Sequence, residues 1–137
     1  MKKIRFIKTV ALSLTLVTML ALVACAVSLG KIEANLEENS KLGLLNYEKL
    51  EGEEIDEICE EISYMIGYMP KLKQAYFAKD SKGYDEVYVI EFASSSDAGK
   101  SYDAFSDGFA EDDEWKVKRE GNTVIFGANY LVDMLLK

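Results

Sequence analysis

The sequence predicts an α+β fold: a two-layer sandwich with the element order α-ββ-α-ββ-α and a four-stranded antiparallel sheet. Three observations predict it. They are an apolar stripe with helical spacing, two pairs of strand-like segments joined by turn residues, and a serine-led capping pattern before a second helical stripe. The 137 residues are 49% hydrophobic and 29% charged, which is typical of one globular domain.

The first helix is predicted over residues 53–69. Its apolar residues recur at intervals of three and four, as on one face of a helix: Ile55, Ile58, Cys59, Ile62, Met65, Ile66 and Met69. Acidic residues occupy its first turn, where the helix dipole favours them, and Pro70 is predicted to end it.

Two hairpins and two further helices follow. The first hairpin joins residues 74–79 to 85–93, and the second joins 115–120 to 123–126 through Gly121 and Asn122. Ser94 is the predicted N-cap of the second helix, with Asp97 three residues later, and a short third helix is predicted over 129–137. The segments 88–93 and 123–128 are alike, which suggests a duplicated hairpin-helix unit. One predicted core joins these elements: Ile58, Cys59, Ile62, Tyr88, Ile90, Phe92, Tyr102, Phe105, Val124 and Phe126.

The first residues have the layout of an export signal. Residues 1–8 hold four basic residues and no acid, and residues 9–22 are apolar apart from one serine and three threonines. The stretch ends Leu22-Val23-Ala24-Cys25, which resembles the lipobox of bacterial lipoproteins. The resemblance implies a diacylglyceryl group on the Cys25 thiol and cleavage after Ala24. Two acyl chains are enough for a stable membrane anchor.

Three segments are therefore predicted: a signal peptide over residues 1–24, an anchor and tether over 25–43, and the α+β domain over 44–137. Two other interpretations of the first segment remain open. Ordinary signal cleavage after Ala26 would release the protein, and an uncut stretch 9–29 is long enough to span a bilayer. All three interpretations export the domain, and the lipobox places it at the outer face of the cell membrane.

The lipobox, the acidic tether and the small domain together resemble the small lipoproteins of Gram-positive bacteria that have no agreed activity. The resemblance implies no site residue beyond Cys25. Lipidation there would leave Cys59 without a disulfide partner, and its place on the apolar stripe predicts a packing role.

Charge and composition exclude several classes of function. The net charge is −8, and removal of residues 1–24 makes it −12, so we expect no nucleic-acid binding and a domain that stands off an anionic membrane. The chain has no histidine, and no metal-ligand spacing or nucleophile with a base is found, so no metal, cofactor or catalytic residue is expected. Residues 98–101 resemble the end of a P-loop without its first glycine, and residues 80–91 lack the glycine position of an EF-hand.

The leading functional hypothesis is a non-enzymatic, membrane-anchored binding module for an unknown protein or small ligand. The alternative is an accessory or inhibitor protein that docks a cationic partner through the acidic first helix. A third hypothesis, a hydrolase with two carboxylates, requires two acids converging in a cleft. The candidate partner surface comprises Glu53, Glu57, Glu60, Glu61, Tyr64 and Tyr68.

Overall fold

The computed structural model describes residues 29–137, and this part of the chain is α+β, as predicted, with four helices and five strands. In chain order the elements are α1 (residues 29–41), β1 (Leu45–Leu50), α2 (Glu53–Ile66), β2 (Leu72–Asp80), β3 (Glu86–Phe92), α3 (Ser95–Gly108), β4 (Trp115–Glu120), β5 (Thr123–Ala128) and α4 (Asn129–Leu136). The predicted signal peptide and Cys25 lie outside the described residues.

The strands form one antiparallel sheet in the order β1-β2-β3-β5-β4, one strand more than predicted. The additional strand, β1, pairs with β2 from Leu45 opposite Asp80 to Leu50 opposite Ala75. Only the two terminal leucines of β1 are buried. The strand therefore lacks the apolar alternation by which strands are recognised in a sequence. Its pairing with β2 makes it a strand, and the expectation of four strands is wrong for that reason.

Residues 29–41, expected to belong to a tether, form a helix that packs against the sheet. Ile32 and Leu36, one turn apart, are almost completely buried. The Asn35 Nδ2 atom donates a hydrogen bond of 2.8 Å to the carbonyl of Leu135 in α4. Of the polar residues that suggested a tether, Glu37 and Glu38 are exposed, and the other four in this helix are partly buried. The packed part of the chain therefore extends back at least to residue 29, which corrects the expected domain start at residue 44.

Helices cover both faces of the sheet, so the described chain has three layers and not the predicted two. On one face α1 and α4 enclose the first core: Ile32, Leu36, Leu45, Tyr76, Ala78, Val87, Val89, Ile125, Ala128, Leu131, Val132 and Leu135. On the other face α2 and α3 enclose the second core: Leu50, Ile62, Ala75, Ile90, Phe92, Ala98, Phe105 and Val124. Because both faces of the sheet are buried, the middle strands carry apolar residues on both of their sides.

The predicted core corresponds to the second core. Its members Ile62, Ile90, Phe92, Phe105 and Val124 are buried there, with Ile58, Tyr102 and Phe126 partly buried against them. Cys59 is buried as well, and Tyr88 is half-buried. The first core was not predicted, because it depends on α1 folding back onto the sheet.

The backbone of a glycine and the side chain of a serine set the ends of the two helices over the second core. Helix α2 ends at Ile66 and not near Pro70, because Gly67 adopts the left-handed conformation (φ 87°) and its N–H bonds the Ser63 carbonyl at 2.8 Å. Helix α3 begins as predicted: Ser94 Oγ accepts a 3.1 Å bond from the backbone N–H of Asp97. The P-loop-like residues 98–101 lie inside this helix.

The two hairpin-helix units suggested by sequence likeness differ in their geometry. Helix α3 follows β3 onto one face of the sheet, whereas α4 follows β5 onto the other. Val89 faces the first core, and the aligned Val124 faces the second. A twofold rotation about an axis perpendicular to the sheet would exchange β3 with β5 and β2 with β4. Such a rotation would place α3 and α4 on the same face of the sheet. The two units therefore do not superpose as a repeat.

Candidate functional site

One row of side chains crosses the sheet beneath α2 and α3. The strand register places Phe77 opposite Glu48, Tyr88 opposite Phe77, and Phe126 opposite both Tyr88 and Val117. Three aromatic rings thus stand side by side on three neighbouring strands. Ring centroids are 4.8 Å apart for Phe77 and Tyr88, and 5.0 Å apart for the stacked pair Tyr88 and Phe126. Neighbouring aromatic rings on one sheet face stabilise each other at such distances.

Helix α3 extends this aromatic row upward into a wall. Phe105 stacks on Phe126 with a centroid distance of 4.3 Å, and Phe109, one turn later, stacks on Trp115 at 5.1 Å. On the same side of α3, Ala104 and Gly108 carry little or no side chain, and a Cβ added at Gly108 would meet no atom within 4 Å. The aromatic wall therefore borders empty space.

That space is an apolar cleft of about 310 Å³ between α2 and α3. We call it the aromatic cleft, and its lining residues are Ile58, Glu61, Ile62, Met65, Tyr88, Ile90, Ala104, Phe105, Gly108, Phe109, Trp115 and Phe126. Among these, Glu61 is the single charged residue. The volume and the apolar lining with few polar groups match those of small-ligand sites.

An acidic recess of about 240 Å³ adjoins the aromatic cleft on the side of β1. Four carboxylates line it: Glu48 from β1, and Glu54, Glu57 and Glu61 from one side of α2. The two spaces share Ile58, Glu61 and Tyr88. A ligand that enters both would have its apolar part on the aromatic rings and its other end among carboxylates.

Tyr88 lines both the aromatic cleft and the acidic recess. Burial, with smaller contributions from the charges of Glu86 and Glu61, raises the pKa of Tyr88. The hydroxyl therefore remains protonated at neutral pH and can donate a hydrogen bond. The Phe77 ring beside it already has Lys79 Nζ at 5.6 Å from its centroid, a distance typical of a cation–π contact.

The residues of the predicted partner surface do not share one environment. All six are exposed, but only Glu57 and Glu61 line the acidic recess. Tyr64 is 79% exposed, and its hydroxyl donates to Glu60 Oε1 at 3.1 Å. The structure therefore brings two of the six residues to a recess, and Glu53, Glu60 and Tyr64 lie outside both spaces.

Tyr68 connects the ends of the two helices. Its hydroxyl donates to Asp97 Oδ1 at 2.5 Å, and Lys100 Nζ lies 4.9 Å from its ring centroid. The backbone N–H of Lys71 donates to the second oxygen, Asp97 Oδ2, at 3.1 Å. The hydrogen bond from Tyr68 is the largest influence that lowers the pKa of Asp97. Tyr68 thus takes part in an intramolecular contact between α2 and α3.

Cys59 is a buried, free cysteine on the inner side of α2. Burial, and to a smaller degree the charge of Asp56, raises the pKa of its thiol. A raised pKa keeps the thiol protonated and unreactive, which agrees with a packing role.

A larger recess, of about 440 Å³, lies at the edge formed by β1 and β2. Its lining is mostly polar and charged, including Glu48, Lys79, Asp80 and Lys82. It lacks the apolar walls that would exclude water from a ligand. The aromatic cleft is for this reason the better candidate site.

The aromatic character of the site was not predicted as such. Tyr88, Phe105 and Phe126 were expected only as core residues, and Phe77, Phe109 and Trp115 had no assigned role in a site. The strand register aligns Phe77, Tyr88 and Phe126 in one row. This row cannot be predicted until the pairing of the strands is known.

Among residues 29–137, no helix combines the length and apolarity needed to cross a membrane. The same residues contain no group of three or more acidic or cysteine side chains arranged to hold a metal ion. Comparison of the chain with protein-family models, with curated proteins and with solved structures found no match.

Proposed function

We propose that this protein is a non-enzymatic binding module, held by a lipid at the outer face of the cell membrane, that captures amphipathic cations in the aromatic cleft. The observation that carries the proposal is the junction of an apolar cleft with a recess lined by four glutamates. The lipobox-like residues 22–25 support the anchor, and the export signal in residues 1–22 supports the location.

Charge and ring chemistry define the class of ligand. The apolar part of the ligand would cover Tyr88, Phe105 and Phe126, which removes apolar surface from water. A positive group would then lie near Glu61 and Glu57, and aromatic faces also attract cations. An anionic ligand of the same shape would be repelled by these carboxylates.

A non-enzymatic role is supported by the surroundings of the acids. The side chains of Glu54, Glu57 and Glu61 are all exposed. A hydrolase with two carboxylates needs two acids held in different environments, one of them apolar. Because the three glutamates are exposed to water on the same side of α2, their environments are alike.

The experiment is a titration of the protein with three probes that share one apolar body: phenylbutylamine, phenylbutanol and phenylbutyrate. Trp115, the single tryptophan of the chain, lines the cleft and serves as the fluorescent reporter. We expect the amine to bind tightest and the carboxylate weakest. Equal affinity for the three probes would overturn the assignment of an acidic rim.

Two substitutions separate the apolar and the charged contributions. Ala104→Leu places a larger side chain in the cleft and should weaken binding of the amine and the alcohol alike. Glu61→Gln should weaken binding of the amine severalfold and leave that of the alcohol unchanged. Persistence of amine binding in both variants would place the site elsewhere.

A second candidate function is an accessory or inhibitor protein that docks a cationic partner protein through α2. It is favoured by the exposure of Glu53, Glu57, Glu60 and Glu61 along that helix. The matched pair Glu60→Gln and Glu61→Gln distinguishes the two functions. Capture of a small cation in the cleft is weakened by Glu61→Gln and not by Glu60→Gln, because Glu60 lines neither space, whereas docking along the whole helix is weakened by either substitution.

A further inference from the structure

Four of the aromatic rings that line the aromatic cleft share one orientation. The planes of Tyr88, Phe105 and Phe109 lie at 11°, 22° and 21° to the plane of Phe126. The corresponding centroid distances from Phe126 are 5.0, 4.3 and 6.3 Å. By contrast, the Phe77 ring is tilted by 46° from Tyr88 and does not line the cleft. We call Tyr88, Phe105, Phe109 and Phe126 the parallel array.

Small residues of α3 leave room beside the parallel array. Ala104 precedes Phe105 and Gly108 precedes Phe109, and all four line the cleft. A Cβ added at Gly108 would meet no atom within 4 Å. Across the cleft, α2 contributes Met65, which is 46% exposed. Methionine is flexible and its sulfur makes favourable contacts with aromatic rings. The cleft therefore offers parallel aromatic rings on one side and an adaptable thioether on the other.

An apolar group can gain affinity in this cleft in two ways. Burial of apolar surface favours any apolar group in proportion to its area, so it favours a saturated ring at least as much as an aromatic one. Offset stacking on the parallel array adds a further gain that only a planar aromatic ring obtains. The two contributions therefore predict opposite preferences between a phenyl and a cyclohexyl group.

We infer that the apolar part of the ligand is a flat aromatic ring that inserts into the cleft parallel to the array. The ligand class is thus narrowed from amphipathic cations to aromatic amines. The inference rests on the proposed function, because it concerns the same cleft and the same positive group near Glu61. The cleft volume of about 310 Å³ is at the lower end of the range for small-molecule sites, which favours a ligand of one or two rings.

The test compares 4-phenylbutylamine with 4-cyclohexylbutylamine by isothermal titration calorimetry of the full-length chain, with a blank titration into detergent alone. The two probes share the amine and the linker and differ only in whether the ring is planar and aromatic. We expect the phenyl amine to bind about three- to tenfold tighter, as stacking beyond area burial gives for aromatic pairs.

Proton NMR of bound phenylbutylamine reports the orientation of its ring. Protons above the face of an aromatic ring are shifted upfield by its ring current, and protons in the plane of its edge are shifted downfield. We expect the phenyl protons to move upfield relative to a sample that contains detergent without protein. A downfield shift, or no shift, would overturn parallel insertion.

Gly108→Ala and Gly30→Ala form a matched pair of variants. Both glycines are helical, neither has a positive φ, and an added Cβ meets no atom within 4 Å at either position. Gly108 lines the cleft, whereas Gly30 belongs to α1 on the other face of the sheet. Gly108→Ala should weaken phenylbutylamine binding severalfold because the methyl group takes space beside the array, and Gly30→Ala should not. Equal affinity of the two variants would overturn insertion beside α3.

The outcomes separate this inference from the proposed function. A cyclohexyl amine that binds as tightly as the phenyl amine, or tighter, would overturn the aromatic preference while capture of amphipathic cations stands. Binding of neither amine would overturn the proposed function, and the narrower inference with it.

Discussion

At the scale of single residues, the aromatic side chains serve both packing and the candidate site. Phe105 is 6% exposed and stacks on Phe126, yet it also lines the aromatic cleft. Tyr68, which the sequence suggested as part of a partner surface, joins two helices through Asp97. Residue type alone does not distinguish these roles, because exposure and hydrogen-bond partners depend on the packed structure.

Phe105→Ala should lower the free energy of unfolding by about 3–5 kcal/mol, because it removes a buried ring from the second core. Urea denaturation followed by circular dichroism measures the change. Tyr84→Ala, the same truncation at a position that is 84% exposed, is the control and should change stability little. A loss below about 1 kcal/mol at Phe105 would mean that α3 does not depend on this contact with the sheet.

Tyr68→Phe should raise the pKa of Asp97 toward the ordinary aspartate value of about 3.9, because it removes the hydroxyl that bonds the carboxylate. A lowered pKa in the folded state stabilises the protein above the unfolded value, and this contribution is lost as pH falls through the folded value. The stability difference between wild type and variant should therefore shrink in that acidic range. An NMR titration of the Asp97 carboxyl carbon reports the pKa directly. Tyr64→Phe, which removes a hydroxyl bonded to Glu60, should leave the Asp97 titration as it is.

At the scale of elements, strand pairing and helix packing determined two elements that the local sequence did not predict. The hairpins, α3 and α4 were predictable, because their residues alternate, cap or repeat with clear periods. Strand β1 and helix α1 were not, because few of their residues are apolar. Ile32 and Leu36 are buried by α4 and the sheet, which are distant in sequence.

Leu36→Ala should lower the free energy of unfolding by about 2–5 kcal/mol, because its side chain is fully buried in the first core. Leu42→Ala changes the same residue type just after α1, at a position that is 65% exposed, and is expected to have little effect. Chemical denaturation of both variants checks the prediction. Equal stability of the two variants would restore the description of this segment as a tether.

At the scale of the whole molecule, the two faces of the sheet differ, because the aromatic cleft lies on the face covered by α2 and α3. Export and lipid attachment are expectations from residues 1–25, and the described structure begins four positions after Cys25. Helix α1, the first described element after Cys25, packs on the face of the sheet opposite the aromatic cleft.

Cys25→Ser should abolish the acyl modification, because the serine hydroxyl does not accept the diacylglyceryl group, and the variant should keep its signal or be cut elsewhere. Mass spectrometry of the wild type should find a chain that starts at Cys25 with the added mass of acyl chains. An unmodified chain starting at Val27 in the medium would indicate secretion instead. An intact chain of 137 residues in the membrane would indicate a spanning anchor.

The sequence by itself determined the α+β class, the two hairpins, the capped helix α3 and the second core, because each depends on neighbours in the chain or on a regular period. It also placed Glu57 and Glu61 on one side of a helix, four residues apart. The tertiary structure decided the fifth strand, the third layer and the aromatic cleft, because these arise from strand register and from helices that meet across the sheet. Burial on both faces of the sheet results from contacts between distant residues, which no local pattern records.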